Sequence, residues 1–357
     1  MREICILIFI NYFSITAGFS QGFSSLEKFP IEEEVTIDLS HFRLSAEDTF
    51  SYDVKLIYDW QSKPHSYYTQ LVTPVCETGV CLLVAIAVYW DLSGNYMGYQ
   101  LPPDKILTKL DHEPFSIEDY KKLDLILSDN YWSLASYDIN DLIIDSTKTL
   151  VDSEIDAYSG ATAKFVSEKD NIEGALYTIY TLWDFIHDKE KTDYLLAHTL
   201  NLMEEGKVDL ISFLKSDNLN YQELAVNILK SGEKIDQSYL APLLQIILKN
   251  DQYLAYEILQ MIDADPDIQL QLWDVYQQVN ISKKRDILQK LAENESSEEL
   301  LLQVCLYLSH LQHYPEARLL VKFLEEFQPL PAKVKQSIVS NSFKSKNIEK
   351  AVASLLN

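Results

Sequence analysis

From Ala175 onward, apolar residues fall at helical spacing, beginning with Ala175, Leu176, Ile179, Leu182, Trp183 and Ile186, and no strand signal returns before the chain ends. Amphipathic segments then follow in pairs at intervals of about thirty residues: 208–214 with 224–229, 240–248 with 254–262, 270–279 with 287–291, and 300–311 with 317–327. Paired helices at that period describe stacked repeats of an α-solenoid; a plain helical bundle is the alternative. Either way, roughly the second half must bury its leucines helix against helix. Whatever sheet the chain contains lies in the first half.

The first half carries that sheet signal. Tyr67–Val72 and Leu82–Trp90 are rich in β-branched and aromatic residues. The second run leads through Asp91-Leu92-Ser93-Gly94-Asn95 into Tyr96–Tyr99, which predicts a hairpin with a glycine-containing turn. The continuously apolar stretch from Leu82 to Val88 predicts a strand inside the sheet with packing on both faces. After the segment Leu107–Phe115, Ser116 and Asp119 form a capping box for a helix whose buried face is Tyr120, Leu123, Ile126 and Leu127. The expected fold class is therefore an α+β domain, an antiparallel sheet with helices, over residues 21–190, followed by an all-α helical-repeat domain over 191–357.

Residues 1–20 have the layout of a secretory signal peptide: Arg2, an apolar run from Ile4 to Ala17, then small residues. An uncleaved anchor is the alternative. The reading implies an extracytoplasmic, periplasmic or secreted location. There Cys76 and Cys81, with four residues between them around Gly79, read as a local disulfide; a redox-active pair is the rival. Cys305 falls in helical periodicity and reads as a core thiol. The formal charge of −24 argues against nucleic-acid phosphates as partners. It is concentrated in front: residues 21–190 hold 12 Lys and Arg against 30 Asp and Glu, and residues 191–357 hold 17 against 23. That field either steers a basic protein partner or simply solvates the surface.

The stretch Asp156-Ala157-Tyr158-Ser159-Gly160-Ala161-Thr162 has small residues beside a threonine hydroxyl, as a backbone closely approached by a modifying enzyme requires. Its pattern resembles the flavinylation site of the FMN-binding domains of Rnf and Nqr electron-transport subunits. In ordinary structure Ser159 and Gly160 would serve as a cap and a turn residue. The resemblance implies FMN joined by a phosphoester to Thr162, with Asp156, Tyr158, Ser159, Gly160 and Ala161 as the recognised surroundings and Tyr158 as a flavin neighbour. It also implies a flavin transferase for maturation and redox partners that are membrane-bound or haem-containing. The family's usual Glu-Thr-Pro-Gly run is not present. Asp111-His112-Glu113-Pro114 stands at the comparable place in the order, so His112 is either a flavin-tuning group or an ordinary loop histidine. Tyr89, Trp90, Tyr96 and Tyr99 are further aromatics close in sequence to such a pocket, or else sheet core. The helical half resembles HEAT-type repeats as a class.

Other chemistries lack their residues. There is no Gly-x-Ser-x-Gly elbow and no glycine-rich phosphate loop. His310 and His313, placed on one helix face, would bind a metal only weakly without a carboxylate or cysteine beside them. The expectation is an exported electron-transfer flavoprotein rather than a stand-alone enzyme, with a cofactor-free binding or scaffold protein acting through its helical repeats as the alternative.

Overall fold

The structure, a computed structural model, describes residues 33–37, 53–75, 83–109, 112–137, 139, 167–232, 235–249 and 252–356. Residues 1–20, whose layout reads as a signal peptide, the Cys76/Cys81 pair and the Asp156–Thr162 motif lie outside the described residues. The chain divides into two compact units, Met1–Val208 and Asp209–Asn357. The division falls later than the 190/191 boundary read from the sequence, because the helix after residue 188 is hydrogen-bonded to the sheet.

The first unit is built on an antiparallel meander: β1 (Glu33–Ile37), β2 (Val54–Tyr58), β3 (Pro64–Thr73), β4 (Val84–Asp91) and β5 (Tyr96–Gln100), in that spatial order. The β4–β5 turn is made by Asp91, whose carboxylate accepts from the backbone N–H groups of Ser93 at 2.8 Å and Asn95 at 3.0 Å, while Gly94 takes φ +83°. Only glycine adopts that conformation without cost. Pairing of Leu56 with Tyr67, Tyr67 with Trp90 and Leu71 with Ile86 puts these side chains on one face, all buried. The opposite face carries a smaller cluster of Ile57, Tyr68 and Tyr89, with Ala87 and Met97 against it. Leu83, at the start of the apolar run, precedes the strand and is exposed.

Three helices accompany the sheet: α1 (Ile117–Leu127), α2 (Leu176–His187) and α3 (Lys189–Glu204). The Ser116/Asp119 capping box is present, and Tyr120, Leu123, Ile126 and Leu127 are buried, as the periodicity predicts. Asp188 separates α2 from α3 and caps the latter, accepting from the Lys191 N–H at 2.8 Å. The indole of Trp90 donates to the Ile186 carbonyl at 3.0 Å, and the Tyr67 hydroxyl meets His198 Nδ1 at 2.9 Å and Thr199 Oγ1 at 2.7 Å. Both α2 and α3 are thus fastened to the buried side of the sheet by polar bonds made where water is excluded.

The second unit is helical among its described residues: α4 (Leu210–Leu214), α5 (Leu219–Ser231), α6 (Gln237–Lys249), α7 (Gln252–Met261), α8 (Pro266–Tyr276), α9 (Ile281–Ala292), α10 (Glu298–His310), α11 (Tyr314–Glu325), α12 (Ala332–Ser340) and α13 (Lys346–Ala353). Side-chain caps start most of the longer ones: Asn218, Asp265 followed by Pro266, Asn280 and Ser297 each accept from the first-turn backbone. Consecutive helices pack as hairpins, and alternate helices pack on each other, giving one row of α4, α6, α8, α10 and α12 and a second of α5, α7, α9, α11 and α13. Gln269, fully buried in α8, ties neighbouring loops together: its amide donates to the carbonyls of Ala264 at 3.1 Å and Glu295 at 2.9 Å and accepts from the Ser297 N–H at 3.0 Å. Cys305 is a buried free thiol, and burial pushes its pKa up to about 12. Among the described residues no helix is long and apolar enough to cross a membrane.

Candidate functional site

The described chain on either side of the 140–166 stretch is held by one aromatic cluster. Tyr180, Trp183 and His187 fall on a single face of α2 at spacings of three and four residues. Each donates to a backbone carbonyl: Tyr180 to Tyr137 at 2.8 Å, Trp183 to Asp129 at 2.9 Å, and His187 Nε2 to Leu127 at 2.9 Å. From the other side Trp132 donates its indole N–H to the Asp170 carbonyl at 3.0 Å. The rings themselves pack, Trp132 on Trp183 at 5.7 Å and on Tyr180 at 6.2 Å, and Trp183 on His187 at 4.4 Å. The segments 129–137 and 167–170 are therefore anchored to the same base. Burial lowers the pKa of His187, which keeps the ring neutral in its Nε2–H form.

The loop before α1 is closed by a bridge between Thr108 and Pro114, with Lys109 N–H donating to the Glu113 carbonyl at 2.7 Å and Phe115 N–H to Leu107 at 2.9 Å. His112 stands at its tip, exposed, with φ +62°. The Tyr120 hydroxyl accepts from the Leu107 N–H at 3.0 Å, and Lys109 pairs with Asp119 at 2.9 Å, so the loop is pinned to the first turns of α1. Burial works to raise the Asp119 pKa, but bonds from the Ser116 backbone, Lys109 and the Ser116 hydroxyl outweigh it and the net shift is downward.

The other aromatics named from the sequence are occupied by the core. Trp90 and Tyr99 are fully buried, Tyr99 donating to the Tyr120 carbonyl at 3.1 Å. Tyr96 donates to Asp124 at 2.7 Å, and Tyr89 lies stacked on Tyr68 at 5.4 Å and donates to Gln100 at 3.2 Å. Asp156, Tyr158, Ser159, Gly160, Ala161, Thr162, Cys76 and Cys81 lie outside the described residues. His310 and His313 do not share a helix face: α10 ends at His310, and His313 is the N-cap of α11. Among the described residues no cluster of His, Cys, Asp and Glu suits a metal ion.

Trp183, which helical spacing alone assigns to the core, is half-buried and belongs to this cluster. The i, i+3, i+7 spacing of Tyr180, Trp183 and His187, polar-ended rings on one face, was the available signal. In the second unit a cleft of about 500 Å³ opens between α9 and α11, lined by the apolar Leu288, Ala292, Leu319 and Phe323, the cations Arg285 and Lys322, the acids Glu293 and Glu326, and Gln289. Compared with known proteins, the chain matches no family model, no curated protein and no solved structure.

Proposed function

We propose that the chain is an exported flavoprotein in which FMN is esterified to Thr162, and that it relays electrons between extracytoplasmic partners while its helical-repeat, HEAT-like half docks them. The reading rests on the Asp156–Thr162 motif, and the common base beneath its flanking segments supports it. Thr162 lies five residues before Ser167, so its Cα is no more than about 18 Å from that residue along the chain. The cluster made by Trp132, Tyr180, Trp183 and His187 fixes Asp170, three residues further on. A modified threonine would accordingly stay within reach of one fixed part of the α+β unit.

Thr162 would hold the FMN group through its hydroxyl oxygen as a phosphoester, with FAD as donor, AMP as leaving group and the hydroxyl proton passing to the transferase. When bound, the flavin supplies one- and two-electron transfer. Gly160 and Ala161, which carry no side chain larger than a methyl group, would leave the acceptor approachable, and Asp156 would serve recognition. The experiment is co-expression of the full chain with a flavin transferase and in-gel fluorescence after denaturation. Wild type should carry one FMN and Thr162→Ala none; fluorescence surviving the substitution, or a wild type without flavin, overturns the reading. The cleft between α9 and α11 favours a second reading, a cofactor-free binding protein acting through its helical unit.

A further inference from the structure

We infer that the cleft between α9 and α11 binds an acidic amphipathic peptide segment of a partner protein, seating its aliphatic side chains on Leu288, Leu319 and Phe323 and its carboxylates against Arg285 and Lys322. The inference is independent of the flavin.

Grooves between stacked helices are common, and charge is what distinguishes this one. Helix α9 carries four cations, three of them engaged: Lys283 donates to the Ile247 carbonyl at 2.7 Å, Lys284 pairs with Glu316 at 2.6 Å, and Lys290 with Glu293 at 2.8 Å. The fourth, Arg285, lines the cleft, and so does Lys322 of α11. Neither has a carboxylate within ion-pair distance among the described residues. Arg318 stands one turn before Lys322 on the same side of α11. Glu293 and Glu326 share the lining, but Glu293 is paired with Lys290 and neither acid is within ion-pair distance of Arg285 or Lys322. Exposed and unpaired, they cost little in the free protein and are available to a carboxylate brought by a ligand.

The floor has the matching chemistry. Leu288 and Phe323 line the cleft with little exposed surface and Leu319 is half-buried, so the apolar footing is narrow and centred on Leu319. The lining runs from Arg285 to Glu293 on α9, about 12 Å of helix, which corresponds to two turns of a docked helix or about four extended residues. A helix laid in a groove uses this arrangement of apolar anchors at i, i+3, i+4 and i+7 with charged neighbours. Glu293 and Glu326, at the C-terminal end of each lining stretch, set the direction, since an acidic end of the peptide is repelled there and attracted at Arg285.

The test is fluorescence anisotropy with the full chain and a fluorescein-labelled peptide of sequence EELLEELLEE, compared with its lysine counterpart KKLLKKLLKK. Wild type should prefer the glutamate peptide, and Arg285→Glu with Lys322→Glu should weaken it at least tenfold. Lys346→Glu with Lys350→Glu, which changes net charge equally outside the cleft lining, should leave it within twofold. Circular dichroism checks the fold, and if the double variant loses helicity, Lys322→Gln alone should still weaken binding measurably. Equal affinity of the cleft and control variants for the glutamate peptide, or a preference for the lysine peptide, overturns the proposal. So does a self-associated chain in sedimentation velocity whose dimer is dissolved by the cleft substitutions, which would assign the cleft to a second copy.

Discussion

The ammonium nitrogen of Lys191 lies 3.5 Å from the centroid of the Phe185 ring and 5.3 Å from that of Trp90, with the lysine almost wholly buried. Burial lowers its pKa to about 7, and the charges of Asp188 and Asp184 only partly oppose that. The aromatic faces supply a cation–π attraction of up to about 2 kcal/mol, too little to replace full hydration.

A lysine with a depressed native pKa takes up its proton more readily once unfolded, so this site adds stability as pH rises from about 7 toward the unfolded value. Lys191→Met should raise stability at pH 7 by about 1–4 kcal/mol. The measurement is urea denaturation of wild type and variant from pH 7 to 8.5; the buried Cys305 thiol, pushed up by burial, acts in the opposite sense toward the top of this range but equally in both proteins, so it cancels in the difference. The difference between the two proteins should shrink as pH rises; a constant difference would contradict a titrating Lys191.

Tyr67 donates to His198 and accepts from Thr199 if the imidazole is neutral, and burial lowers the His198 pKa in keeping with that. His65 and His187 are lowered by burial too. All three therefore favour the native state above their unfolded pKa and cost stability as pH falls below about 6.5. Tyr67→Phe should destabilise by about 1–3 kcal/mol, because Thr199 and His198 lose a buried partner. In His198→Asn, the loss of thermal stability between pH 7 and 5.5 should be smaller than in wild type.

Gly94→Ala should cost more than a turn glycine usually does. Its left-handed φ alone costs about 1 kcal/mol for an L side chain, and the new Cβ would sit 3.1 Å from the Thr192 carbonyl oxygen in α3. Backbone on both sides gives little room to relax. A melting temperature unchanged by the substitution would show that the turn moves away from α3 freely.

Gln269→Leu should destabilise the helical unit by about 2–3 kcal/mol, since it removes three hydrogen bonds of a buried amide, one of them, to the Ala264 carbonyl, fully buried and the other two, with the Glu295 carbonyl and the Ser297 N–H, partly so. Hydrogen exchange should speed up first at the start of α10, where Ser297 is the cap.

The periodic part of this architecture was legible in the chain. Ser116 with Asp119, the hairpin through Gly94 and the buried face of α1 are local patterns, and local patterns survive folding unchanged. The helices of the second unit also fall where the leucine spacing places them, with α12 and α13 continuing it beyond the paired segments. What spacing did not reveal was partnership over distance. Tyr67 meets His198 from more than a hundred residues away, which is why α3 belongs with the sheet. Tyr89, Trp90, Tyr96 and Tyr99 look like ring-binding aromatics in a linear reading and are packed or hydrogen-bonded inside the first unit. His310 and His313 look adjacent on a helix and are separated by a helix end.

The two-row stacking of the helical unit gives it a direction of failure. Among the described residues the α8–α9 hairpin packs on both α6–α7 and α10–α11, whereas α12 and α13 pack on α10 and α11 alone, so detaching that pair breaks a single interface. Limited proteolysis should then cut first in the linker 326–331 and only later in 293–297 and 262–265, leaving a nested ladder of shortened stacks.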